Sequence, residues 1–344
     1  MKKITLLIIF ILVIAKTFLV YGKTSENTFV FTAVGDFGGN RHTSRVLEFI
    51  SRSDSQFHLA VGDMSYNEIK PESLWCKYVS SHLRKDLPFE ILSGNHEESG
   101  HHGLIDNFAQ GFPDRLGAVG NYGKEYYFDY PKKDPLARFI LISPDLNFKV
   151  GGKFTYEKGN EHYQWLFQAI DGARTAGIRW VIVGMHKNCL SAGYKPCEIG
   201  EDVFNLLVEK KVDLILQGHD HNYQRTKSLG LGQGCSEIKP NTYVPACVSD
   251  EGRQGNFQKG AGPIVMILGT GGESIYPVNA SDLEAPYFAK IIGDSANPTY
   301  GFGRFTVSAE KITAEFVPVR IGFFGAEFKD KFCIIDSHFD AERK

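Results

Sequence analysis

The sequence predicts an α/β fold, and three observations carry that reading. Short runs rich in β-branched and aromatic residues alternate with segments whose apolar residues recur at helical spacing, the pattern of sheets covered by helices. Five of those runs stop at a glycine that adjoins a side chain able to ligate a metal. No internal repeat, coiled-coil heptad or interdomain linker breaks the 344 residues, so one domain is expected over about residues 28–335.

Taken in order, Thr28 to Gly35 reads as a strand by its β-branched and aromatic content and ends on Asp36-Phe37-Gly38-Gly39. Val46, Leu47, Phe49 and Ile50 then predict a helix over about Thr43 to Arg52. The run Leu59-Ala60-Val61 ends on Gly62-Asp63-Met64-Ser65-Tyr66, and Phe89-Glu90-Ile91-Leu92 ends on Gly94-Asn95-His96-Glu97. From Ser99 to Lys124 the chain is loop-rich and carries His101-His102; Tyr126 to Tyr130 and Arg138 to Ile142 read as strands. Leu166, Ala169, Ile170 and Ala173 mark one face of a helix over about Glu161 to Thr175. It leads into Trp180-Val181-Ile182-Val183, a strand that ends on Gly184-Met185-His186. Val203, Leu206 and Leu207 mark another helix before Val212 to Leu216, whose end is Gly218-His219-Asp220-His221. If that end stays extended, both imidazoles project to one side. Thr226 to Gly262 has little periodicity and reads either as a surface insertion or as a substrate-facing lid. Pro263 to Leu268 is one more strand, and Phe302 to Val307 with Ile312 to Val317 a closing hairpin.

A composition of 42% hydrophobic and 23% charged residues is that of a folded globular chain. The net charge of -2, with signs intermixed, offers no basic footprint for nucleic acid and no polybasic membrane patch. Met1 to Gly22 has two early lysines and a largely apolar run broken by Lys16, the pattern of a cleaved signal peptide, after whose removal no membrane span is expected. Export to an extracellular, periplasmic or lysosomal compartment permits disulfides. Of the six cysteines, Cys189 with Cys197 and Cys235 with Cys247 are near enough to staple local loops, and Cys76 and Cys333 stay open. Asn279-Ala280-Ser281 is a glycosylation acceptor if the host glycosylates.

The strand ends supply the carboxylates of Asp36 and Asp63, the amide oxygen of Asn95, the imidazoles of His186, His219 and His221, and the phenol of Tyr66. Any one Gly-Asp or Gly-Asn pair is more often a turn; in open α/β sheets, however, ligands collect where the strands end. So many donors exceed what one zinc takes, and mixed oxygen and nitrogen suits iron, zinc or manganese. Two ions roughly 3.5 to 4 Å apart, bridged by a carboxylate, would clamp a phosphate and activate a bound hydroxide for in-line attack.

In order, Asp36-x-Gly38, Gly62-Asp63-x-x-Tyr66, Gly94-Asn95-His96-Glu97, Val183-x-x-His186 and Gly218-His219-x-His221 resemble the five-block signature of the purple acid phosphatases, within the calcineurin-like metallophosphoesterases. The resemblance implies a four-layer αββα double β-sandwich with the site at one edge. It implies an exported acid phosphatase acting on small phosphate monoesters through Fe(III) plus a divalent iron, zinc or manganese. Asp36, Tyr66 and His221 would hold the ferric ion, Asn95, His186 and His219 the divalent one, and Asp63 would bridge them. His96 would be the catalytic residue that contacts the phosphate or its leaving group. Relatives carry further histidines soon after the fourth block, whereas Lys187 to Cys197 contains none, so Lys187, His101 and His102 are the candidate substrate-binding replacements. A manganese or zinc phosphodiesterase or nucleotide hydrolase of the same superfamily is the nearest alternative. A secreted binding protein on an inactive enzyme fold is the other, against which the complete ligand set argues. The natural substrate and oligomeric state stay open.

Overall fold

The computed structural model describes residues 28–294, 298–320 and 328–337. The segment Met1 to Gly22, expected to be a signal peptide, lies outside the described residues. Two large sheets face one another. The first has seven strands in the order Asn256–Gln258, Asp330–Ile335, Lys311–Pro318, Gly301–Val307, Phe29–Val34, Phe57–Val61 and Phe89–Leu92. The second has eight, in the order Phe288–Ile292, Tyr223–Thr226, Ile264–Leu268, Leu214–Gln217, Trp180–Gly184, Ala137–Leu141, Glu125–Tyr130 and Val119–Asn121.

Strand alternation explains the layering. Phe29, Phe31, Ala33, Phe57 and Leu59 of the first sheet pack with Phe139, Trp180, Ile182 and Leu216 of the second in one buried cluster. Phe31 stacks on Phe305 at 4.5 Å and meets Phe139 edge-on at 4.9 Å, which locks the sheets face to face. The intervening residues Val34, Ala60, Val181 and Val183 point the other way, into a cluster with Val46, Leu47 and Ile50 of helix Arg41–Arg52 and Leu166, Ile170 and Ala173 of helix Glu161–Thr175. Strands buried on both faces read as unbroken apolar runs. The result is helices, sheet, sheet, helices.

The expected helix at Thr43 starts two residues earlier, at Arg41, because the Asn40 side chain accepts from the backbone N–H groups of His42 and Thr43. Helix Glu72–His82 was not expected: only Trp75, Cys76 and Val79 are buried in it, too few for a clear apolar face. The Trp75 indole donates to Gly38 O at 2.7 Å and moors that helix to the first strand end. The loop-rich segment before Lys124 holds a short helix, Ile105–Gly111, and the edge strand Val119–Asn121. Residues 226–262 contain a small hairpin of Ser228–Leu229 with Val248–Asp250. Backbone N–H groups of this segment bond to Asn205, Glu284 and Tyr287, so it lies against the body as a surface insertion. Cys189–Cys197 and Cys235–Cys247 are disulfides, and Cys76 and Cys333 are free. Asn279 is exposed. Among the described residues no helix is long and apolar enough to cross a membrane.

The parallel strands set up the site. Val34 pairs with Ala60 and Val61 with Leu92 in one sheet, and Leu141 and Leu216 both pair with Gly184 in the other. Their carboxyl ends therefore reach the same edge.

Candidate metal centre

Each strand continues for one or two residues and then turns sharply. Asp36, Asp63, Tyr66 and His219 all have positive φ, between 49° and 70°, a left-handed conformation uncommon in residues other than glycine. The turns are laced together: Asp36 N donates to Gly62 O at 3.1 Å and Phe37 N to Asp63 O at 3.0 Å. Side-chain space is tight there. A Cβ on Gly62 would overlap His186 Nδ1, and one on Gly94 would overlap Asp63 Oδ1.

The Tyr66 hydroxyl lies 2.9 Å from Asp36 Oδ1, 3.0 Å from Asp63 Oδ2 and 2.9 Å from His221 Nε2. His221 Nε2 is also 3.2 Å from Asp36 Oδ1, and its Nδ1 bonds to Ser274 O. On the other side of Asp63, His186 Nε2 lies 3.1 Å from Oδ2, while His186 Nδ1 is taken by Val61 O at 2.9 Å. Among the described residues, Asp63, His186 and His219 offer ligand atoms that all lie within 4.8 Å of one another, and all three are buried. The buried Asn95 Oδ1 has no hydrogen-bond partner. Orphaned buried polar atoms of this kind need a partner, and a cation supplies one. The mutually close donors thus divide about Asp63, with Asp36, Tyr66 and His221 to one side and His186 and His219 to the other.

Electrostatics point the same way. Burial raises the Asp63 carboxyl, but the imidazoles of His186, His96 and His219 outweigh it and hold it well below the usual carboxylate range. Burial lowers His186, and Asp63 then lifts it to about 9. Burial, then the charges of Asp36 and Asp63, push the Tyr66 phenol well above 10.0. A phenol pressed against two carboxylates ionises only beside a strong positive charge, the condition a multivalent cation creates.

His219 and His221 do not sit on an extended strand. Leu214–Gln217 ends before them, and the bend at His219 sends the two rings to different partners. His221 goes to Asp36 and Tyr66, whereas His219 Nε2 lies 2.9 Å from Glu198 Oε1. His96 sits in the turn after Asn95, with Nε2 3.7 Å from Asp63 Oδ2 and its ring 4.2 Å from that of Tyr66. Of the three candidate replacements, His102 joins the site through an Nδ1 hydrogen bond to His96 Nδ1. His101 stacks behind His102 at 4.3 Å. The Lys187 ammonium is instead taken up by Asp145 and Glu198, at 2.9 and 3.1 Å.

Three carboxylates were missed in the sequence. Glu97 accepts from the backbone N–H of Asp63, Met64 and Gly94, and so buckles the second and third strand ends together. Asp220, between the two histidines, accepts from Ser191 Oγ and the N–H of Tyr194, tying the 189–197 loop to the last strand end. Glu198 follows the second cysteine of a closed loop. Glu97 and Asp220 lay inside ligand-bearing blocks, which was the available signal; Glu198 had only the nearby disulfide.

The model for calcineurin-like phosphoesterases matches residues 29–223, which enclose every strand end described above, and the chain belongs to that family. Within it, the chain is similar to purple acid phosphatases. It is 24% identical over 212 residues to purple acid phosphatase 18 of Arabidopsis thaliana, covering 59% of this chain and 46% of that protein. It is likewise 24% identical over 265 residues to purple acid phosphatase 1 of Ipomoea batatas, covering 72% and 50%. The chain spans about half the length of the curated relatives it matches. The purple acid phosphatase of yellow lupin seeds shares the fold, with TM-score 0.63 at 19% identity over 92% of this chain and 55% of that one. So does the GAP50 anchor of the Plasmodium inner membrane complex, with TM-score 0.59 at 15% identity over 90% of each chain.

Proposed function

We propose that this chain is an acid phosphatase that hydrolyses small phosphate monoesters at a two-metal centre of Fe(III) and a divalent ion. The observation that carries the reading is the place of Asp63 Oδ2, 3.0 Å from the phenol of one donor group and 3.1 Å from an imidazole of the other. Asp36, Tyr66 and His221 would hold the ferric ion, and Asn95, His186 and His219 the divalent one. Asp63 would serve both. When bound, such a pair supplies charge neutralisation on the phosphate and activation of water at mildly acid pH. The protein's part is to hold seven donors on turns that cannot relax, with Glu97 and Asp220 bracing the backbone between them. His96, 3.7 Å from Asp63, and His102 bonded behind it would bind the ester oxygens and deliver a proton to the leaving group.

The anchor reading suggested by the Plasmodium likeness rests on fold alone, and the complete donor set favours catalysis. Purified protein should hydrolyse an activated aryl phosphate monoester faster at pH 5 than at pH 8, and the corresponding diester more slowly. It should be coloured, with the visible band lost in Tyr66→Phe. A colourless iron-loaded protein, or preference for the diester, would point to the phosphodiesterase alternative.

A further inference from the structure

We propose that Glu198 is a positioning residue of the metal centre, one that fixes which nitrogen of His219 is free to ligate; this rests on the two-metal reading above. Glu198 Oε1 lies 2.9 Å from His219 Nε2. With Lys187 Nζ 3.1 Å from its other oxygen, the Glu198 carboxylate is the acceptor in this contact and Nε2 the donor. The ring nitrogen this leaves for a metal is Nδ1, and His219 is one of the buried cluster with Asp63 and His186. A carboxylate behind a ligating histidine also raises the basicity of the ring and fixes its rotation.

The arm that holds Glu198 is built for that contact. Its other oxygen, Oε2, is 3.1 Å from Lys187 Nζ, which also bonds Asp145 Oδ2 and the Asp145 carbonyl at 2.9 and 3.1 Å. Glu198 N donates to Asn188 O at 3.0 Å, and the Cys189–Cys197 disulfide closes the loop between them. The base of the loop is tied to the last strand end, through Asn188 Nδ2 to Gly218 O at 3.1 Å and Gln217 Nε2 to Lys187 O at 2.7 Å. Residue 198 therefore has little freedom to leave His219. The stretch that lacks histidines, Lys187 to Cys197, thus delivers a carboxylate to the back of a ligand in place of imidazoles.

The test is zinc(II) affinity of the full chain, measured by competition with a chromophoric chelator for wild type, Glu198→Gln and Glu198→Ala, with circular dichroism and thermal melts of the metal-free proteins alongside. Loss of such a partner costs about 10- to 100-fold in affinity. Glu198→Ala should lose that much, and Glu198→Gln, whose amide oxygen still accepts from Nε2–H, should lose clearly less, with the metal-free melts matching wild type. Should Glu198→Ala fail to fold, the comparison of Glu198→Gln with wild type still decides: an unchanged affinity overturns the role of the charge, and a partial loss supports it. Wild-type affinity in both variants, or equal losses that track the melting temperatures, would overturn the proposal and place Glu198 in the scaffold. A wild type that binds no zinc would instead overturn the two-metal reading, and this inference with it.

Discussion

At His96 the surroundings decide what the imidazole can do. Burial is the largest influence on it and pushes it down to about 4, with Asp63 pulling the other way and His102 adding to the fall. The ring is therefore neutral in the free site at mildly acid pH, and the negative charge of an arriving phosphate is what favours its protonated form. A positioned imidazole of this kind contributes about 10²- to 10⁴-fold in rate. His96→Ala should therefore lose about 100-fold or more of kcat on an alkyl phosphate, whose leaving group needs a proton. It should lose far less on an activated aryl ester, with metal content retained; steady-state kinetics on the two esters beside metal analysis check this. Equal losses on both, or parallel loss of metal, would make His96 a structural residue of its turn.

At the scale of elements, strand Phe89–Leu92 carries a buried acid with no metal role. Glu90 Oε1 accepts from Arg115 N at 3.2 Å, and its Oε2 has no partner. Burial is the chief cause that lifts it from 4.5 to about 7, with the nearby Tyr122 hydroxyl and Arg115 N–H pulling the other way. The folded chain then holds this proton more tightly than the unfolded one, so its contribution is intact below about pH 4.5 and is lost as pH rises through about 7. Glu90→Gln should stabilise the protein by about 3 kcal/mol at pH 8 and by little at pH 4. Denaturant unfolding at the two pH values measures it, and an equal change at both would contradict the assignment. The strand itself was plain in the sequence from Phe89, Ile91 and Leu92 despite that acid, and Trp180–Gly184 was plain because burial on both faces leaves an unbroken apolar run. Helix Glu72–His82 was not plain, since its anchor is one tryptophan bonded to a distant carbonyl rather than an apolar stripe. The donors were legible because each lies within four residues of a glycine at a strand end. The bend at His219 and the roles of Glu198 and Asp220 were not, because a carboxylate's task depends on which distant group the fold sets against it.

Across the whole molecule, the donors come from two sheets. Asp36, Asp63, Tyr66 and Asn95 follow strands of the seven-stranded sheet, while His186, His219 and His221 follow strands of the eight-stranded one. In the proposed assignment each group of donors draws on both sheets, so ions bound there would fasten one sheet edge to the other, and Asp63 would be the side chain common to both groups. The most direct test is the metal stoichiometry of purified wild type and Asp63→Ala after exposure to iron and zinc, by elemental analysis of folded, desalted protein. The expected result is two ions per wild-type chain, with both sites losing retention in the variant. One ion per chain in the wild type, or an Asp63→Ala protein that keeps both, would contradict the account.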